Sequence, residues 1–210
     1  MWGLIRKDLY SLSSSVKSIV LLMIVFGVIF IPQSGGFAFI SVTVFIMASL
    51  VISTISLDNA VMWDKYALTL PLSRQDIVKS KYVLLLLLSI IGVVIGLAAC
   101  AIYETVVNEN SLAEMLQMGL LMATMAVAIF SIVLPIIYKY GVEKARMLMV
   151  LCIFLPVVVV LSLVYFAENS SVDLAFLDGP LLTVLAMLIA AAAFIVSYFI
   201  SVRIYSRQDL

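Results

Sequence analysis

The residues of this chain that could do chemistry are few, and their types and spacing exclude most reactions. Among 210 residues there is no histidine, so the commonest general base at neutral pH and the commonest metal ligand are both missing. No Ser-His or Cys-His nucleophilic pair can form, and no Cys/His cluster is available for a metal. Cys100 and Cys152 both lie inside apolar runs. Placed in the helices expected around them, they differ in depth by roughly 20 Å. That is too far for a disulfide, and both read as small buried apolar residues. Lys17–Ser18 and Lys79–Ser80 lack the glycines of a phosphate-cradling loop. The chain therefore has no nucleotide site of the usual kind, and no cofactor is expected in it. Asp76 and Glu143 are single carboxylates in basic loops and read as ion-pair members. What remains is recognition by charge and shape, concentrated in Asp58–Tyr82, the longest polar interruption of the sequence.

The elements that position this stretch follow from composition. Hydrophobic residues make up 65% and charged residues 11%, with a mean hydropathy of +1.27. Soluble domains carry about a quarter charged residues, so this chain must have the bilayer as its solvent. Apolar runs predict one all-α membrane domain with six transmembrane helices, at about 18–32, 37–57, 81–103, 115–138, 147–166 and 180–202. The first is short, and Lys17 extends it by snorkelling. Pro32–Gly36 reads as a tight turn between the first two spans. Ahead of them, Trp2, Ile5, Leu9 and Leu12 fall at helical spacing, with Arg6, Lys7 and Ser11 off that stripe. Residues 1–17 are expected to form an amphipathic helix at the interface.

Charge supplies the orientation. All of Arg6, Lys7, Lys17, Lys65, Arg74, Lys79, Lys81, Lys139, Lys144, Arg146, Arg203 and Arg207 fall on one side of the six-span arrangement. The other side carries Glu104, Glu109, Glu114, Glu168, Asp173 and Asp178. By the positive-inside rule both termini are cytoplasmic. The balanced total, 12 basic against 12 acidic residues, favours no nucleic acid. No Asp, Glu, Lys or Arg is expected deep in a span, which argues against an ion-coupled carrier. Gly92 and Gly96, four apart, are expected to let two helices approach closely. Pro135 and Pro156 sit inside the fourth and fifth spans and can kink them.

Within the polar stretch, Met62, Trp63, Tyr66 and Leu70 fall on one helical face, while Asp58, Asp64 and Lys65 fall off it. An amphipathic segment continuing from the second span is expected, broken by Pro71. Ser73 then caps a new helix, with Asp76 reaching back and Leu72 and Ile77 in staple positions. That helix should run through Lys79 and Lys81 into the third span. The result is a structured cytoplasmic elbow. The residues alone leave two roles open: an anchor for two spans, or a docking surface for a partner.

The sequence WDKYALTLPLSRQDIVKSKY, Trp63–Tyr82, resembles the cytoplasmic loop of the small ABC-2-type permeases, the membrane subunits of bacterial ATP-binding-cassette exporters. RKDLY at Arg6–Tyr10 resembles the start of the same family. The resemblance implies a type V exporter-like fold in the bacterial cytoplasmic membrane, working as a homo- or heterodimer of permeases with a separate ABC ATPase subunit that holds ATP and magnesium. It implies a connecting helix through Trp2, Ile5, Arg6, Lys7 and Leu9. It implies ATPase docking and coupling at Asp58, Trp63, Asp64, Lys65, Tyr66, Leu70, Pro71, Leu72, Ser73 and Arg74, and a short extracellular helical element within Glu168–Asp178. The apolar spans suit an amphipathic substrate: a toxin-like or antimicrobial peptide first, a lipid or drug next. A non-transporting membrane anchor or sensor, or a stand-alone carrier, are the alternatives.

Overall fold

The structure is a computed structural model, and it describes residues 2–34, 36–67, 69, 73–107, 112–145, 147 and 180–207. The expected fifth span beyond Met147, with Cys152 and Pro156, lies outside the described residues. So do Glu109 of the acidic loop, the segment Glu168–Asp178, the elbow residues Leu70, Pro71 and Leu72, and the side chains of Asp64 and Lys65. Among the described residues every regular element is helical: α1 Trp2–Ser13, α2 Val16–Ser34, α3 Phe37–Ala60, α4 Trp63–Ala67, α5 Arg74–Val107, α6 Leu112–Tyr140 and α7 Pro180–Ser206.

Four of these, α3, α5, α6 and α7, are long and apolar enough to cross a membrane, and α1 with α2 makes a fifth candidate bent by 66°. The protein is a multi-pass membrane protein. The bend has a local cause in the SLSSS sequence. The Ser13 hydroxyl donates to the Tyr10 carbonyl at 2.6 Å and that of Ser14 to the Ser11 carbonyl at 3.0 Å, competing with helix continuation. α1 therefore lies across the end of the bundle instead of extending α2.

The stripe expected on α1 is corrected. Its buried face is Leu4, Ile5, Asp8 and Leu12, whereas Trp2 is 75% and Leu9 38% exposed. Apolar side chains lose nothing by facing lipid, so hydrophobic periodicity does not choose the packed face here. The buried carboxylate of Asp8 does, through the lysines it meets at the end of the bundle.

The centre of the bundle is α3 against α5, with α6 beside them and α7 on α6. Gly92 and Gly96 face α3 as expected. A Cβ at Gly92 would stand 2.9 Å from the Val44 Cα, and one at Gly96 3.2 Å from the Ile40 Cα. At the α2–α3 turn Gly36 takes φ 87°, and the Cys100 thiol donates to its carbonyl at 3.3 Å. Cys100 is fully buried there. At the other end of the bundle Gly141, with φ 83°, closes α6 through its N–H to the Ile137 carbonyl at 2.9 Å, as a C-terminal glycine does. The rings of Tyr138 and Tyr205 meet at 5.4 Å, joining the ends of α6 and α7.

α5 has 34 residues, about 50 Å at 1.5 Å per residue, against about 30 Å of hydrocarbon. It outreaches the membrane, and its first turns join the elbow in one continuous helix, as the sequence predicts.

Candidate functional site: a charged junction beneath an elbow

The elbow begins where α3 stops. The N–H groups of Val61 and Met62 return to the carbonyls of Leu57 and Asn59, both at 3.2 Å, and Met62 adopts φ 50°. This break corrects the expectation that the amphipathic segment continues from the span. α4 is a separate turn of 5 residues. Its Ala67 is fully buried, while Tyr66 is 58% exposed. Trp63 is half-buried, and its ring lies 5.3 Å from that of Tyr66. Thr69 closes the turn through its N–H and hydroxyl, both donating to the Tyr66 carbonyl, at 3.0 and 2.7 Å.

The restart of the helix follows the sequence closely. The Asp76 N–H donates to the Ser73 hydroxyl oxygen at 3.1 Å, and the Ser73 N–H donates to the Asp76 carboxylate at 3.3 Å. These reciprocal bonds are a capping box with Asp in the Glu position. Arg74 turns away from the elbow. Its guanidinium donates to the carbonyls of Tyr205 and Ser206 at 3.2 and 3.0 Å, satisfying the end of α7 where a cation is favoured.

Beneath the elbow lies a charge cluster that no pattern along the chain assembles. Lys81 on α5 donates to Asp8 on α1 at 2.8 Å, to Asp58 on α3 at 2.7 Å and to the Thr54 hydroxyl at 3.3 Å. Lys7 donates to the other oxygen of Asp58 at 2.5 Å and stands 3.0 Å from Asp8. Asp8, Asp58 and Lys81 are buried. Two ammonium groups and two carboxylates balance, which is the condition under which charge is held away from water. Lys7 also lies 4.4 Å from the centre of the Trp63 ring, a cation–π distance. The elbow is thereby connected through Trp63 and Lys7 to α1, α3 and α5 together.

Of the residues singled out in the sequence, the structure gathers Lys7, Asp58 and Trp63 at one junction. It leaves Tyr66 on the outer face and gives Arg74 to α7. Ile5 packs in the core, Arg6 lies 5.8 Å from the Tyr10 ring centre, and Trp2 and Leu9 face outward. Asp8 and Lys81 lie within the two stretches that carry the resemblance, but the sequence pattern assigns neither of them a role in the site. One signal does point to Asp8: it sits three residues after Ile5 and four before Leu12, on their face of the helix. Lys81 belongs to the stretch that carries the family resemblance, but nothing local names its partner Asp8, which stands 73 positions away. Among the described residues no group of acidic, His or Cys side chains is placed to hold a metal, and both junction carboxylates are paired with lysines. The junction is a polar weld between three helices, with one face of the elbow attached to it.

A family model described as "ABC-2 family transporter protein" matches residues 3–206. No curated protein matches the chain.

Proposed function

The chain belongs to the ABC-2 transporter family, whose members are membrane transport components, and on that premise we propose that it is the permease subunit of an ATP-binding-cassette exporter. In this reading the end of the bundle that carries the elbow, the C-termini of α3, α6 and α7 and the N-terminus of α5 faces the cytoplasm. Six spans complete the membrane domain, and two such subunits work with two ATPase subunits of the cell. α4 is the part an ATPase presses on. Closure of the ATPase dimer around ATP moves α4, and the junction passes that movement to α1, α3 and α5 at once.

The observation that carries this reading is the placement of the elbow. Its outer face is offered to a partner through Val61, Met62 and Tyr66, exposed by 72, 66 and 58%. Its inner face is fixed to buried charges through Trp63 and Lys7. A loop that merely joined two spans would need no such connection. The proposed substrate is amphipathic or apolar, a peptide or a lipid. A groove of about 620 Å³ between α1–α2 and α3–α5 supports that class, being lined by apolar side chains that include Leu12, Met23, Phe39 and Leu88.

The test is co-purification of the full chain with an ABC ATPase subunit produced in the same cell. Tyr66→Glu should abolish association and the stimulation of ATP hydrolysis, while its own cost to the permease is only that of the Trp63–Tyr66 ring contact, about 0.5–1.5 kcal/mol. Association that survives both Tyr66→Glu and Met62→Glu would show that the elbow is not the docking surface.

A further inference from the structure

Lys81 has a neighbour that faces a second buried network. The Tyr82 side chain on α5 is 2% exposed, and its hydroxyl lies 2.6 Å from that of Ser197 and 2.8 Å from that of Ser201, both on α7. The Ser197 hydroxyl donates in turn to the backbone carbonyl of Ser131 on α6. The rings of Phe194 and Tyr198 hold the Tyr82 ring edge-on at 5.1 and 5.5 Å.

The Ser131 carbonyl is special for a reason written in the sequence. In a helix it would accept from the N–H four residues later, and that residue is Pro135, which lies inside α6 and has no N–H. In a membrane helix a carbonyl released in this way must be satisfied from a neighbour. Ser197 supplies that donor. Since its proton is committed to the carbonyl, the Tyr82 hydroxyl must donate to Ser197, and Ser201 must donate to Tyr82. The chain of donors runs one way, from Ser201 through Tyr82 and Ser197 to Ser131, and such chains strengthen each bond in them.

The geometry points to a latch: Ser197 closes the gap that Pro135 opens in α6, and Tyr82 on α5 holds Ser197 in the latching position. Beyond the gap lies the last turn of α6, with Tyr138 against Tyr205 and Gly141 ending the helix. When Tyr82 shifts with α5, Ser197 loses its donor and the gap in α6 is free to open. Lys81 and Tyr82, side by side, thus connect the charged junction on one side of α5 to a hinge in α6 on the other. The use of this hinge in transport rests on the proposed function. The latch itself is a property of the chain alone, so the two fail separately.

The experiment is hydrogen–deuterium exchange of the full chain in nanodiscs of phosphatidylethanolamine and phosphatidylglycerol, read on the peptide covering residues 136–140. Ser197→Ala should speed exchange there roughly fivefold, the effect of losing one hydrogen bond on local opening, and Ser197→Thr should restore it. In a Pro135→Ala background, where the missing N–H returns, Ser197→Ala should have no effect. An equal effect of Ser197→Ala in both backgrounds overturns the latch. Tyr82→Phe should speed exchange of the same peptide by a smaller factor than Ser197→Ala, and wild-type exchange in Tyr82→Phe overturns the control from α5. Thermal midpoints of all variants show whether any change is global: a loss of protection spread evenly over α3, α5 and α6 also overturns the latch.

Discussion

Replacing Lys81 by Met deletes the central cation of the junction while keeping most of the side chain's length. Each ammonium–carboxylate contact, at 2.8 Å to Asp8 and 2.7 Å to Asp58, is worth about 6 kcal/mol at an effective dielectric of about 20. Desolvation of the buried groups offsets most of that, so the intact cluster adds little net stability. Removing one member is a different matter. Asp8 and Asp58 would be left with Lys7 as their remaining cation in the cluster, and the cluster would carry a net negative charge away from water. The expected loss is about 3–5 kcal/mol, which for a chain of this size lowers the thermal midpoint by roughly 6–20 °C. Intrinsic fluorescence in nanodiscs reads it, because Trp63 stacks on Lys7. The double variant Lys81→Met with Asp8→Asn keeps the Lys7–Asp58 pair and restores neutrality. It should be more stable than the sum of the single losses by about 1–3 kcal/mol. A loss for Lys81→Met below about 1 kcal/mol, the range of an exposed ion pair, would refute a buried junction, and so would strict additivity of the two changes.

Gly92→Ala sets a methyl 2.9 Å from the Val44 backbone and should cost about 1–3 kcal/mol, more than Gly96→Ala, whose nearest backbone atom is at 3.2 Å; thermal midpoints rank the two. Met62 holds φ 50° while 66% exposed, so Met62→Gly should stabilise by about 1 kcal/mol, measured the same way. Arg74→Ala removes the donor to the Tyr205 and Ser206 carbonyls and should speed amide exchange at the end of α7, with partial recovery in Arg74→Lys. Single cysteines introduced at Tyr66 and Glu109 in a Cys100→Ser/Cys152→Ser background should react with an impermeant maleimide from opposite faces of the membrane, Tyr66 only after the cytoplasmic face is opened.

Several features are legible in the sequence. Composition demands a bilayer, long apolar runs demand helices, and the basic residues at the described helix ends fall together at one end of the bundle. The cap at Ser73–Asp76 is legible because both partners lie within one turn of chain. The close α3–α5 approach is signalled by Gly92 and Gly96. Other features are not legible, and in each case the reason is physical. The apolar stripe misplaces the packed face of α1 because lipid accepts Trp2 and Leu9 as readily as the protein core does, so such a stripe ceases to mark the inside. The end of α3 at Ala60 depends on the left-handed Met62, a residue whose type does not announce that conformation.

Burial of charge is the largest gap between the two levels. The expectation that charge avoids the depth of the spans comes from spacing along the chain. It says nothing of how Asp8, Asp58 and Lys81 meet at the rim of the bundle. In water a hydrophobic core forms first and charge stays outside, so sequence pattern and burial agree. In a bilayer the apolar groups have no such preference. The few polar groups must find one another, and which ones do so depends on helices brought together from distant parts of the chain. Local helix order and the demand for a bilayer are thus encoded residue by residue. The junction on one side of α5 and the hydroxyl chain on the other come into being only when α1, α3, α6 and α7 pack around that helix.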